Sequence, residues 1–166
     1  MNQARADDFA VESVDVERGQ FHDAQISNGF GCHGSNVSPA ICWSGEPSET
    51  GSFMVSMYDV DAPTGSGFWH WAVVDVPPSV HSLAAGAGNN VSELPTGALQ
   101  IRNDMGNRAY LGPCPPQGDT HHYLITVTAL KISKLPIDAN ATPEVVGFVA
   151  HYQQLAKATI SVEMRR

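Results

Sequence analysis

The sequence predicts a single, mainly β domain, and three observations carry that expectation. Its 166 residues suit one domain, large enough to bury a core without metal or disulfide staples. Hydrophobic residues make up 42% of the chain, with three Trp, four Tyr and six Phe, which marks a folded globule rather than a disordered chain. Eleven Pro and fifteen Gly are spread along it and cut it into the short segments of a β-rich protein.

Taken in order, residues 1–8 read as a flexible N-terminal extension to a domain spanning 1–166, and 9–16 as a weak strand. The segments 52–58 (SFMVSMY) and 69–76 (WHWAVVDV) are rich in β-branched and aromatic residues and are flanked by Gly, Pro or Asp. A weak strand follows near 99–101, then a strong one at 122–130 (HYLITVTAL), where Tyr123, Ile125, Val127 and Ala129 share one face. Thr142-Pro143-Glu144 has the form of an N-cap followed by Pro in the first turn. Apolar residues then recur at Val145, Phe148, Val149, Tyr152, Leu155 and Ala156, which predicts an amphipathic helix packed on the sheet. No linker, repeat or low-complexity tract interrupts the chain. Long loops fall at 28–38, 59–68, 84–97 and 106–119, and loops of that length often carry function.

Nine Lys and Arg against seventeen Asp and Glu give a net charge of −8. That balance argues against nucleic acid or an anionic membrane as partner, since both need clustered basic residues. No apolar run approaches the roughly 20 residues that span a bilayer, so no stable membrane insertion is expected. Between Arg18 and Arg102 there is no Lys or Arg at all. An anion bound by that stretch must be held by His, backbone N–H groups, hydroxyls or a metal, or by a basic residue from another segment. The opening MNQARADDFAVES has no apolar signal region, which favours the cytoplasm; the alternative is a periplasmic protein whose leader has been removed. Three cysteines, Cys32, Cys42 and Cys114, allow three single pairings and leave one thiol over.

Two segments carry the chemistry. In 58–71 (YDVDAPTGSGFWHW) a strong strand runs into Asp59 and Asp61, then a tight turn through Pro63, then His70 between two Trp. Taken singly, the carboxylates can be turn caps and the His a core residue. Together they suggest a desolvated imidazole whose pKa burial lowers and a carboxylate raises, with the carboxylate fixing its tautomer. In 112–123 (GPCPPQGDTHHY) Gly112, Pro113 and the following prolines stiffen a loop that leads into a strand. There His121 and Tyr123 face one side and His122 the other, so His121 and Tyr123 can share a cavity. No HxH, HExxH or CxxC spacing supports a metal, and no G-x-S-x-G elbow supplies a nucleophile. No metal, cofactor or catalytic residue is therefore assigned.

At these residues the sequence resembles the phosphatidylethanolamine-binding, or Raf kinase inhibitor-like, family, in its compact bacterial branch. The matching motifs are DVDAP (59–63), FWHW (68–71) and GPCPP…THHY (112–123), with NGFGCHGSNVSPAICW (28–43), LPTGALQIRND (94–104) and VGFVAHY (146–152) in support. The resemblance implies an antiparallel β-sandwich with Greek-key connections, a few peripheral helices and one helix near the C-terminus. It also implies a pocket of Asp59, Asp61, Pro63, His70, Gly112, Pro113, His121 and Tyr123 that takes small anions such as phosphoryl head groups. Val60 stands where the family has Pro, which frees φ and adds an N–H. His122 stands where the family has Arg, facing away from the pocket. Relatives with cysteines in both loops imply a Cys32–Cys114 disulfide, and a homodimer is expected.

The function expected is therefore a non-enzymatic binding protein for a small anionic, phosphoryl-containing ligand. His70, His121 and Tyr123 are expected to donate to the anion, and Asp59 and Asp61 to orient the imidazoles. The alternatives are a kinase or protease inhibitor acting on a protein partner through its surface, and a weak phosphate- or acyl-ester hydrolase.

Overall fold

A computed structural model describes residues 8–166; residues 1–7, nearly all of the expected N-terminal extension, lie outside the described residues. The strands are β1 (Ala10–Glu12), β2 (Ile41–Ser44), β3 (Ser52–Asp59), β4 (Phe68–Val76), β5 (Ser82–Leu83), β6 (Leu99–Ile101), β7 (Thr120–Leu130) and β8 (Gln154–Arg165). One α-helix, α1 (Pro143–Gln153), precedes β8. They form a small sheet in the order β1-β2-β5 and a larger one in the order β6-β4-β3-β7-β8, every named strand pair antiparallel. The chain leaves β4 for the small sheet and returns as β6 beside β4, then crosses to β7 beside β3. These are the long connections expected of a Greek-key sandwich.

The larger sheet is buried on both faces. Phe53, Val55, Met57, Trp71, Val73, Tyr123, Ile125 and Val127 fill the space toward the small sheet, against Trp43, Ile41 and Leu83. Met54, Ala72, Val74, Ile101 and Leu130 meet Leu135, Val146 and Ala150 on the other face, where α1 lies. That double burial explains why SFMVSMY reads as a continuous apolar run rather than an alternation. Each large apolar side chain fully buried here contributes about 1.5–3 kcal/mol.

Three expectations need correction. The weak strand at 9–16 shrinks to Ala10–Glu12, because Ser13 caps a 3₁₀ segment at Val14–Gly19 through a bond from the Asp15 N–H. The helix ends at Gln153, and Leu155 and Ala156 belong to β8 instead. Within α1 the buried residues are Pro143, Val146 and Ala150, while Phe148 and Tyr152 are each 64% exposed. The expected stripe therefore mixed two faces of the helix. The strand β8 itself was not anticipated, although Ala156, Ala158, Ile160, Val162 and Met164 alternate with polar residues along it.

Candidate ligand-binding site

At one end of the larger sheet, β3 finishes at Asp59, β4 begins at Phe68 and β7 begins at Thr120. Antiparallel pairing puts Asp59 opposite both Phe68 and Tyr123, so the edges of three strands converge there. Opposite β3, the register slips between Met57 and Tyr58, whose partners are Trp71 and Trp69. His70 is the extra residue of this β-bulge, and such bulges re-aim a side chain. Trp71 then points into the core, where its Nε1–H donates to Gln100 Oε1 at 2.9 Å. Trp69 packs on the Tyr58 ring, with centroids 4.8 Å apart. Neither Trp lines the cavity; the rings that desolvate His70 are Phe68 at 4.9 Å and Tyr123 at 5.2 Å.

The cavity so formed has a volume of about 180 Å³. Its floor is Asp59, His70 and His121, which are 3%, 6% and 4% exposed. Asp59 Oδ2 is bonded to His121 Nδ1 at 2.7 Å and lies 4.0 Å from His70 Nε2. Asp59 Oδ1 accepts the Asp61 N–H at 2.9 Å. His70 Nδ1 donates to the Leu111 carbonyl at 2.8 Å. Burial drives the His70 pKa down to about 4, against the opposing pull of the Leu111 bond and the Asp59 charge. Burial and then the Asp59 charge push the Tyr123 phenol well above its ordinary value, so it stays protonated.

The walls are mostly apolar: Phe30, Ala62, Pro63, Phe68, Met105, Leu111, Pro115 and Pro116. Gly112 holds its place by close approach, since a Cβ there would lie 2.4 Å from the Gln25 carbonyl oxygen and the Ser27 nitrogen. Asn36 pins the same wall: its Oδ1 accepts the Gly112 N–H at 2.7 Å, and its Nδ2 donates to the Tyr110 carbonyl at 3.4 Å. A disulfide joins Cys32 and Cys114, whose Cα atoms are 6.1 Å apart, and ties the loop bearing Phe30 to the proline wall. Cys42 is the thiol left over.

Of the eight expected pocket residues, Asp59, Pro63, His70, Gly112, His121 and Tyr123 line the cavity. Asp61 and Pro113 do not. Asp61 sits at the surface, where its Oδ2 accepts the His122 N–H at 2.7 Å and meets His122 Nδ1 at 2.7 Å. That pairing lowers the Asp61 pKa and raises that of His122. Pro113 lies behind the wall, its carbonyl accepting the Ser27 N–H at 3.1 Å. His122 faces away from the pocket as expected, yet it is what holds Asp61. The N–H gained at Val60 is used as well, donating to the His122 carbonyl at 3.2 Å and extending the β3–β7 ladder.

Sequence reasoning missed Phe30, Met105, Leu111 and Asn36, which come from loops distant in the chain. It also missed Arg166. No Lys or Arg lines the cavity among the described residues, but the Arg166 guanidinium grips the rim from outside. It donates to the Gly31 carbonyl at 2.9 Å and to the Phe30 and Pro115 carbonyls at 3.3 Å. No described group of His, Cys, Asp and Glu is arranged to hold a metal ion. No described helix is long and apolar enough to cross a membrane.

Comparison with known proteins agrees with this architecture. The family model described as phosphatidylethanolamine-binding protein matches residues 17–165. The UPF0098 protein YbcL of Escherichia coli K12 is 46% identical over 161 residues, 95% of this chain and 88% of that protein. YbhB of the same organism is 45% identical over 136 residues, 82% of this chain and 86% of its own. The crystal structure of YbcL, described as a new member of the mammalian family, superposes with a TM-score of 0.92 at 44% identity, covering 96% of this chain and 99% of YbcL. CT736 of Chlamydia trachomatis shares the fold, with a TM-score of 0.78 at 24% identity over 95% of this chain and 97% of its own.

Proposed function

The chain belongs to the phosphatidylethanolamine-binding protein family, and from that premise we propose that its Asp59–His70–His121 pocket captures a small anionic, phosphoryl-containing ligand. The observation that carries this reading is a cavity of about 180 Å³ with two histidines and one aspartate at its floor, beneath mostly apolar walls. Pockets for drug-sized ligands run to roughly 300–1,000 Å³, so this one suits a head group rather than a whole lipid. On its rim, the N–H groups of Phe30, Ala62 and Cys114 have no hydrogen-bond partner among the described residues and supply donors for charged oxygens. His121, held by Asp59, fixes one side of the ligand, and the prolines and Phe68 exclude water around it. The reading is of a binder rather than an enzyme. Thr64 Oγ1 is committed to the Gly67 carbonyl, and Cys114 is locked in its disulfide, so neither serves as a nucleophile. That disulfide also favours an oxidising compartment over the cytoplasm.

Histidine-resolved NMR titration with inorganic phosphate and phosphoethanolamine, in EDTA, tests the proposal. His70 and His121 are expected to shift together and saturably, while His122, outside the cavity, stays still. Absence of any shift at His70 and His121 overturns it. A second reading, an interaction protein acting through its surface, draws on the exposed Val145, Phe148 and Tyr152 of α1. Inhibition of a purified kinase or protease that survives His70→Ala and is lost in Phe148→Ser would favour that reading.

A further inference from the structure

The floor of the pocket has a proton shortage. His70 commits its Nδ1–H to the Leu111 carbonyl, an atom that only accepts. Its Nε2 therefore presents a lone pair whenever the ring is neutral, and it faces Asp59 Oδ2 at 4.0 Å. That oxygen already takes the His121 Nδ1–H at 2.7 Å. Two acceptors thus stand side by side with no donor between them. The walls do not supply one. The Leu111 and Gly112 N–H groups go to the His70 carbonyl and Asn36 Oδ1, and Pro63, Pro115 and Pro116 have no N–H. The Tyr123 O–H, the remaining side-chain donor of the floor, is turned to the Asp59 carboxylate, which leaves the backbone N–H groups of the rim as the free donors.

A ligand that matches this layout has charged oxygens for the rim and an O–H for the floor. Resting on the anion reading above, we propose that the pocket takes its ligand as the acid: a phosphomonoester or inorganic phosphate that keeps one P–OH and donates it to His70 Nε2. A phosphodiester, with no titratable proton near neutrality, is disfavoured. The balance is simple. A dianionic monoester takes up one proton from solvent as it binds, a monoanion brings its own, and only that O–H bond is made.

The titratable groups facing His70 are Asp59 from β3 and His121 and Tyr123 from β7; Asp119 approaches His121 Nε2 at 3.9 Å instead. Burial holds the ring near pKa 4, whereas a phosphomonoester loses its second proton near pH 6. The ligand is therefore the better home for the shared proton. A gap of about two units corresponds to a preference on the order of a hundredfold for the ligand that carries it.

Ethyl phosphate and dimethyl phosphate are isomers of equal size, one a monoester and one a diester. Calorimetric titration of the protein at pH 7.5, repeated in two buffers of different ionisation enthalpy, measures affinity and proton uptake together. Ethyl phosphate is expected to bind with uptake of close to one proton and at least tenfold more tightly than dimethyl phosphate. His70→Gln, with folding checked by the His121 resonances, is expected to abolish the uptake and the preference. Equal affinity for the isomers, or binding of ethyl phosphate without proton uptake, overturns the inference and leaves the anion reading standing. Failure of both isomers and of inorganic phosphate to bind overturns both.

Discussion

Two Asp–His pairs, whose histidines are adjacent on β7, do different work in this protein. Asp59–His121 and Asp61–His122 join the same two segments, and each has its Nδ1–Oδ2 contact at 2.7 Å. The first is sealed beneath the proline wall; the second is about half exposed on both sides. In water the pair is screened and contributes little, whereas in the cavity either partner left alone is a stranded polar group. Residue type and distance are thus equal, and burial alone separates a cavity floor from a turn clamp.

The comparison breaks most forcefully through what creates the burial. Replacing both Cys32 and Cys114 with Ser removes a link between residues 82 apart in sequence. That is expected to cost about 4 kcal/mol of unfolding free energy, read from urea midpoints, and to increase solvent access to the inner pair. An unchanged midpoint would mean that the loop bearing Phe30 seats itself without the link. Next in size, Asp59→Ala strands the imidazole of His121 and is expected to lose about 3 kcal/mol. Asp61→Ala should leave the midpoint within experimental scatter. Equal losses from the two substitutions would deny that burial distinguishes the pairs.

pH sharpens the contrast, because the two sites have opposite signs. The folded protein holds His70 near pKa 4 against 6.5 when unfolded, so between those values the unfolded chain binds more protons. Stability is therefore expected to fall by roughly 3 kcal/mol as pH drops from about 6.5 to about 4, and His70→Gln should flatten that limb. If the limb persists in the variant, another group causes it. At the surface, Asp61 is lowered and His122 raised by their mutual hydrogen bond. The Asp61 contribution is lost as pH falls through its depressed value, and that of His122 as pH rises through its elevated one. The pair contributes most between the ordinary values of 3.8 and 6.5. A double-mutant cycle across pH should show a small coupling that fades on both sides of this window; a coupling that grows above pH 8 would contradict it.

Much of this was legible in the chain. The alternation of Tyr123, Ile125, Val127 and Ala129 placed β7 and set His121 and His122 on opposite faces. Cap chemistry at Thr142 placed the start of α1. The end of α1 was not legible, because the helix stops at Gln153 without a Gly or Pro and its apolar residues run straight into the alternating ones of β8. Period-two geometry is local and put His121 beside Tyr123, whereas Asp59 and His70 were assigned to the pocket through the resemblance of DVDAP and FWHW to the family motifs. Asp61 was misplaced because a carboxylate two residues from a buried one shares its strand face only if the strand continues, and β3 stops at Asp59. Leu111, Asn36 and Arg166 reach the site through folding contacts that no short-range pattern encodes.

The bulge at His70 makes the pocket sensitive to arithmetic as much as to chemistry. Between Tyr58 and Trp71 the chain must contain one residue more than a regular hairpin allows. Deleting a single residue from 68–70 would remove little mass, yet it would restore a regular pleat and shift a neighbouring side chain into the imidazole's place. In this corner of the molecule a change of chain length is expected to be as damaging as the loss of a floor side chain. Loop grafts or chimaeras that join a relative's β3–β4 turn to this scaffold should be matched first by residue count and only then by sequence.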